Sequence, residues 1–551
     1  MPSEPRPSHN ADSGYDAAGP EFSLRRKIGL LLGVPLFLVL LWPALTPGLS
    51  EAGRRLLATS GLMAFWWITE AIPIPATALL PMCLYPLFGI LPMADVTRNY
   101  GDENIFLFLG GFLIAIAMQK WNLHRRLALH IVRLIGTAPR RLVLGFMCAT
   151  AFISMWISNT ATTMMMYPIA LAVILQLAPE QEARGQVAKN NKEPMGKQTA
   201  TSNEQRATSN QQLATSNFRT CMMLAIAYAA SIGGLGTLIG TPPNIIFAGS
   251  VQKLFPQAPP VDFLRWLAFG LPLILVFIPI TWFLLTRLLF PIAKDLFSSG
   301  QDLIDAEIKK LGRMSAGERS VLAIFLSTAL AWIFRVDLEL GFVTIPGWAS
   351  RLGLADKVSD ATVAMIAGAS LFFIPVRFRR GEFLLDWVTA VKIPWGILLL
   401  FGGGIAMSAG FKASGLSIWL GERLAGVGNW PPIAIIIAVC LVVTFLTEVT
   451  SNTATATIFM PIMAATAQAL HLHPFLLMVP AAISASCAFM LPVATPPNAI
   501  VFASGYVTVP QMARAGLWLN LIGVILVTAL VYLIVAPIFQ IDFLSLPSWA
   551  R

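Results

Sequence analysis

Ser158-Asn159-Thr160-Ala161-Thr162 and Ser451-Asn452-Thr453-Ala454-Thr455 are the same five residues, set near the centres of two apolar stretches, 141–176 and 432–470. Each stretch goes on to Pro-Ile, at Pro168-Ile169 and Pro461-Ile462. Downstream, Gly240-Thr241-Pro242-Pro243-Asn244 returns as Ala494-Thr495-Pro496-Pro497-Asn498. Ser158 to Asn244 spans 86 residues and Ser451 to Asn498 spans 47. The excess in the first half is close to the length of a polar insert at 178–221, so without that insert the halves keep step. The chain therefore carries an internal duplication whose repeated words are polar, placed where the surroundings are apolar.

Those surroundings set the fold class. Hydrophobic residues make up 56% of the 551 and charged ones 12%, about half the share of an ordinary soluble domain. Apolar runs recur along the whole length, which describes a bundle of spans in lipid. The formal charge of +10 sits in short Lys/Arg clusters between the runs, as membrane orientation by cytoplasmic positive charge produces, and argues against nucleic acid as a partner. The predicted spans are 28–47, 56–72, 73–91, 104–119, 222–250, 266–290, 319–336, 358–376, 390–410, 475–505 and 515–538, eleven in all. The two interrupted stretches are predicted as re-entrant helical hairpins, because unwound backbone at membrane depth persists only where protein, water or ligand satisfies it. Counting from a cytoplasmic N-terminus, this choice puts Lys120, Arg125, Arg126, Arg133, Arg140 and Arg141 inside, although Arg54 and Arg55 fall outside. The C-terminus is then external and the two hairpins enter from opposite sides. Oppositely oriented repeats with broken helices meeting near the midplane are a plan of secondary transporters.

The predicted organisation is a disordered cytoplasmic tail at 1–27, scaffold spans at 28–119, an interfacial helix at 120–139 and the first hairpin at 141–176. The insert at 178–221 follows, then a broken span at 222–250 and four spans over 266–410. A second interfacial helix at 411–430, the second hairpin at 432–470, a broken span at 475–505 and a last span at 515–538 complete it. Within the insert, Ala200–Arg206, Ala207–Leu213 and Ala214–Thr220 are tandem units opening Ala-Thr-Ser-Asn; they lack the paired apolar positions of a coiled coil and read as low-complexity linker. Five cysteines and five histidines show no metal-ligand spacing.

The repeated words suit an anion escorted by cations. Helix N-termini at the breaks offer unpaired N–H groups to a carboxylate or sulfate. The ends of the preceding helices offer carbonyl oxygens to a hard cation. Asn159 and Asn452 supply amides there, and Ser158, Thr160, Ser451 and Thr453 supply hydroxyls. Pro242, Pro243, Pro496 and Pro497 are the helix-breaking residues. Neither hairpin contains Lys or Arg beyond the boundary Arg141, so a dianion bound there would depend on dipoles, hydroxyls and co-bound cations. Glu70 is predicted to cap or anchor a turn. Glu448, just before the second word, is read either as tuning a cation site or carrying a proton, or as an acid satisfied by a neighbour.

With these residues in view, the chain resembles the divalent anion:sodium symporter family, the dicarboxylate and sulfate carriers. The resemblance rests on Trp66-Trp67-Ile68-Thr69-Glu70-Ala71-Ile72-Pro73 with Thr77–Pro81, on both Ser-Asn-Thr words, and on the run Ser486–Val501. It covers roughly residues 28–540 and is specific for the family rather than the substrate. It implies an all-α polytopic protein of two inverted-topology repeats, a homodimer in the cell membrane of the bacterial inner-membrane type, with an elevator-like transport domain. By motif position it implies sodium ligands at Ser154, Ser158 and Asn159 with the backbone of Gly240, and at Thr447, Thr450 and Asn452 with the backbone of Ala494. Substrate oxygens would meet Asn159, Thr160, Thr241, Asn452, Thr453 and Pro496. The long insert is the departure from the family pattern.

The expected function is sodium-coupled symport of a C4-dicarboxylate such as succinate, malate or fumarate, with no cofactor besides sodium. Sulfate symport and anion exchange are the alternatives. A channel or a membrane enzyme is disfavoured by the lack of a polar pore ring, a metal cluster or a nucleophile–base–acid set in the sequence.

Overall fold

Each long apolar run forms a helix, because in lipid only a helix or a closed barrel satisfies its own backbone. The computed structural model describes residues 24–177, 202–293, 301–339, 344–424, 430–543 and 545–551. Its principal helices, in chain order, are α1 (Leu24–Leu40), α2 (Glu51–Thr69), α3 (Glu103–Lys120), α4 (Leu123–Ile135), α5 (Pro139–Ser154) and α6 (Asn159–Leu177). Then come α7 (Ser202–Gly234), α8 (Pro242–Leu254), α9 (Phe263–Phe283), α10 (Ala316–Ile333), α11 (Asp360–Phe373) and α12 (Trp395–Ser414). The chain closes with α13 (Pro432–Thr447), α14 (Asn452–Ala469), α15 (Phe475–Ser484), α16 (Pro496–Phe502) and α17 (Val509–Leu530). Two short antiparallel ribbons, Leu338–Glu339 with Thr344–Ile345 and Pro375–Arg377 with Glu382–Phe383, are the strands among the described residues.

Five helical stretches among the described residues are long and apolar enough to cross a bilayer: Met93–Lys120, Phe263–Leu289, Ala316–Ile333, Trp395–Ser414 and Val509–Ile538. The other apolar helices are shorter because polar words or prolines cut them. The predicted span 73–91 is two helices, Ile74–Thr77 and Leu80–Leu87, since Pro81 in the first turn of the second cannot donate to the preceding turn. Apolar side chains such as Leu275, Ile366, Val442 and Ile525 stand exposed along the helices, as expected of faces that meet lipid.

Several boundaries differ from the sequence reading: α1 begins at Leu24, so residues 24–27, predicted as tail, are helical. The helix predicted to start at Met222 starts at Ser202, so the tandem units from there on are helical rather than linker. They contain no Gly or Pro, and Gln, Ala, Glu and Arg propagate the helix outward from α7. The rest of the insert, and the tail at 1–23, lie outside the described residues. The second interfacial helix begins at Leu416, after α12 has run on to Ser414.

The helix α4 in the predicted interfacial segment does carry its charge on one side. Arg125 pairs with Glu307 at 2.8 Å, Arg126 with Glu318 at 2.8 Å and Arg133 with Asp305 at 3.0 Å. These partners belong to the helix Gln301–Leu311 and the start of α10. Gly136, at φ 108°, turns the chain from α4 into α5.

Close helix contact depends on small residues. A Cβ on Gly110 of α3 would stand 2.5 Å from the backbone carbonyl carbon and oxygen of Ala364 in α11. Gly110→Val therefore forces α3 from α11 and should destabilise the protein by about 1–3 kcal/mol. Ile366→Ala, at a 65% exposed position on the same α11, should change little. Thermal unfolding in detergent would separate the two variants.

Candidate functional site

The repeated words produce four breaks in helical backbone. The first hairpin is interrupted between Ser154 and Asn159 and the second between Thr447 and Asn452. The α7–α8 break runs from Gly234 to Pro242, and the α15–α16 break from Ser484 to Pro496. In both of the latter a threonine, Thr241 or Thr495, is the extended N-cap, and the proline after it starts the next helix without needing a donor partner.

Each hairpin break is closed by the same contact. Ser154 Oγ lies 2.8 Å from Asn159 Oδ1 and 2.7 Å from the carbonyl oxygen of Ala230. Thr447 Oγ1 lies 2.7 Å from Asn452 Oδ1 and 2.9 Å from the carbonyl oxygen of Ala485. A hydroxyl has one proton to give, so each set brings three oxygens together around a single hydrogen. Each break in the other pair is closed by its terminal asparagine. Asn244 Nδ2 donates to the carbonyls of Gly234 and Thr237 at 3.0 and 2.8 Å. Asn498 Nδ2 donates to those of Ala488 and Leu491 at 3.3 and 3.0 Å. The acceptors lie ten and seven residues back in both cases, so the two unwound loops share one shape. Sequence reasoning had Asn244 and Asn498 as letters of the repeat and gave them no role; their position directly after Pro-Pro was the available signal.

The breaks differ in how the residue just after the preceding helix is held. At the first, Thr237 donates its hydroxyl to the carbonyl of Met155. At the second, the equivalent of Met155 is Glu448, buried to 3% exposure. Its carboxylate accepts from the backbone N–H groups of Phe489 at 2.7 Å, Met490 at 2.9 Å and Leu491 at 3.2 Å, and from Asn520 Nδ2 at 2.7 Å. Of the readings offered for Glu448, satisfaction by neighbours is the one its geometry displays: the charge is spread over donors that an unwound loop would otherwise leave unpaired.

All four breaks face one cavity of about 540 Å³. Of the residues singled out in the sequence, Ser158, Asn159, Thr160, Gly240, Thr241 and Pro242 line it from the first half. Thr450, Asn452, Thr453, Ala494, Pro496 and Pro497 line it from the second. Ser154 and Thr447 do not reach it; fully buried, they stand behind their asparagines. Pro243 is buried in the first turn of α8. The Thr450 hydroxyl turns away, to Leu446 O at 2.9 Å and Thr455 Oγ1 at 2.6 Å. Phe108, Phe112 and Ile397 add apolar wall, and Arg25 and Glu70 add charged groups to the lining. Three helices of more than two turns, α6, α8 and α14, start at the cavity, so the positive ends of their dipoles converge there.

Residues 25–540 match the sodium:sulfate symporter transmembrane region, a family defined over nearly the whole chain. The chain belongs to this family. It is a multi-pass membrane transporter and not an enzyme, and the coupling ion of the family is sodium. Among similar proteins are the sodium-dependent dicarboxylate transporter SdcS of Staphylococcus saprophyticus, 41% identical over 522 residues, and that of Staphylococcus aureus strain MRSA252, 43% identical over 522. Both alignments cover 95% of this chain and 93% of the relative. Among solved structures, the Alcanivorax borkumensis YdaH transporter is similar at a TM-score of 0.51 and 13% identity, covering 86% of this chain and 97% of that one. Neisseria gonorrhoeae MtrF, described with a class of antimetabolite efflux pumps, is similar at 0.53 and 12%, covering 94% and 97%. At such identity these two share the fold alone.

In this symporter the Glu448 cluster is the most exacting part of the site's frame. Glu448→Gln sets an NH2 group against backbone donors and should lower stability by about 1–3 kcal/mol, with loss of uptake. Asn520→Leu removes one donor and leaves three backbone N–H groups on the carboxylate, so its effect should be smaller. Melting in detergent and uptake into proteoliposomes would measure both.

Proposed function

We propose that the chain imports a C4-dicarboxylate, such as succinate, malate or fumarate, together with sodium. The observation that carries this reading is the convergence of both Ser-Asn-Thr words and both Thr-Pro-Pro-Asn words on one cavity. Helix N-termini and the hydroxyls of Thr160, Thr241 and Thr453 suit carboxylate oxygens, and Asn159, Asn452 and the turn at Pro496 complete the substrate site. The oxygen clusters behind the tips suit sodium. One sodium site uses Ser154, Ser158, Asn159 and the Gly240 backbone, the other Thr447, Thr450, Asn452 and the Ala494 backbone. The kinship with transporters named for sodium-dependent dicarboxylate transport at 41–43% identity supports the substrate class.

The same reading takes the two halves as inverted-topology repeats within about eleven spans and two hairpins. The N-terminus is cytoplasmic, the C-terminus external, and the protein a homodimer. The paired breaks then belong to a transport domain that moves as an elevator against the helices around α2 and α12. Support comes from the duplicated contacts of the two breaks and from the family.

Sulfate is the second reading, because the family description names it and the same donors fit any divalent oxyanion. In proteoliposomes, inward sodium gradients should drive succinate uptake, and uptake indifferent to sodium would leave exchange as the activity. Excess sulfate should inhibit weakly if dicarboxylate is the substrate and fully if sulfate is. Asn159→Asp and Asn452→Asp should each abolish anion binding, since a carboxylate repels the substrate; thermal protection by succinate in the presence of sodium reads this directly.

A further inference from the structure

Arg25, in the first turn of α1, belongs to neither hairpin, yet it lines the central cavity and is the one Lys or Arg among the described residues that do. Its Nε donates to the carbonyl of Ile68 at 2.9 Å, and its Nη2 reaches both that carbonyl and the carbonyl of Val449 at 3.1 Å. Glu70 Oε1 stands 3.9 Å from Nη2. Ile68 lies in the last turn of α2, which Glu70 ends in a left-handed conformation at φ 51°. Val449 lies just past the end of α13, inside the second hairpin break. One guanidinium therefore binds the carbonyl-rich ends of two helices, the farther carbonyl lying 424 residues from Arg25 in sequence, where the dipoles favour a cation.

The first break has a different anchor at this place. The residue equivalent to Val449 is Trp156, whose ring packs on Phe263 and Phe325 at 5.9 and 4.8 Å. Val449 is 52% exposed and has no comparable packing. It sits between Thr447 and Thr450, so a shift of its peptide moves both.

We propose that Arg25, oriented by Glu70, is a positioning residue that fixes the second break from outside and so sets the protein's sodium affinity. This rests on the sodium-coupled reading above, in which Thr447, Thr450 and Asn452 hold a cation. Arg25 itself contacts neither ion nor anion in this role; it acts through the Val449 carbonyl.

The test uses the full chain in proteoliposomes with succinate as the anion. Arg25→Gln should raise half-saturating sodium by about fivefold or more, the effect of losing charge-assisted bonds to one carbonyl, while the maximal rate at saturating sodium stays within about twofold. Arg25→Lys keeps the charge but loses the planar fork that spans both carbonyls, so it should recover only in part, and Glu70→Gln should likewise fall between Arg25→Gln and the wild type. Unchanged half-saturating sodium in Arg25→Gln overturns the proposal, as does a change in maximal rate alone. If Arg25→Gln does not fold in detergent, the other two variants decide, and wild-type sodium dependence in both overturns it. A wild type indifferent to sodium sinks the symport reading instead, whereas a sodium-dependent wild type with an indifferent Arg25→Gln sinks this inference only.

Discussion

A helix interrupted inside a bilayer has freed backbone groups and no water to take them, and the contacts around the four breaks answer that constraint. Asn244 and Asn498 bind loop carbonyls, Glu448 collects loop N–H groups, and Ser154 and Thr447 close the hairpin breaks from behind. Only with these in place can four breaks stay open toward a shared space. The cavity is thus a by-product of satisfied backbone. Its polarity is carried mostly by helix ends and short side chains, with Arg25 and Glu70 as the charged groups of the lining.

The two halves solve the same problem with unequal chemistry. The first uses a neutral hydroxyl on Met155 and aromatic packing on Trp156. The second uses a buried carboxylate on three amides and an arginine from a distant helix. Charge-assisted bonds are stronger and more demanding in direction than neutral ones. Both breaks are held by neighbours in the fold, the second through directional charge-assisted bonds and the first through a neutral hydroxyl and aromatic packing.

Much of this was legible in the sequence because duplication is a pattern and needs no geometry to be seen. The five-residue words located both hairpin breaks, and Pro-Pro located the other two, since proline forbids the next helix from running back into the loop. The five long apolar helices fell within or across predicted apolar runs. Depth around the site was not legible: motif position treats Ser154 and Asn159 alike, yet one lines the cavity and the other stands behind it. Arg25 was hidden for another reason, because basic residues before a first span are expected for orientation, and nothing local marks one that folds inward. The helical start of α7 was missed because a repeated polar unit looks like linker, although its residues favour helix whenever a neighbouring helix supplies the nucleus.

The asparagine staples have a further consequence. They grip main-chain carbonyls, so the loops they hold have almost no residue in common: Leu235-Gly236-Thr237-Leu238-Ile239 in one, Phe489-Met490-Leu491-Pro492-Val493 in the other. Shape and composition are thereby uncoupled. Ile239 lines the cavity from the first loop and Pro492 and Val493 from the second, so a change at these three positions reshapes the lining for new cargo while the architecture around it is inherited intact.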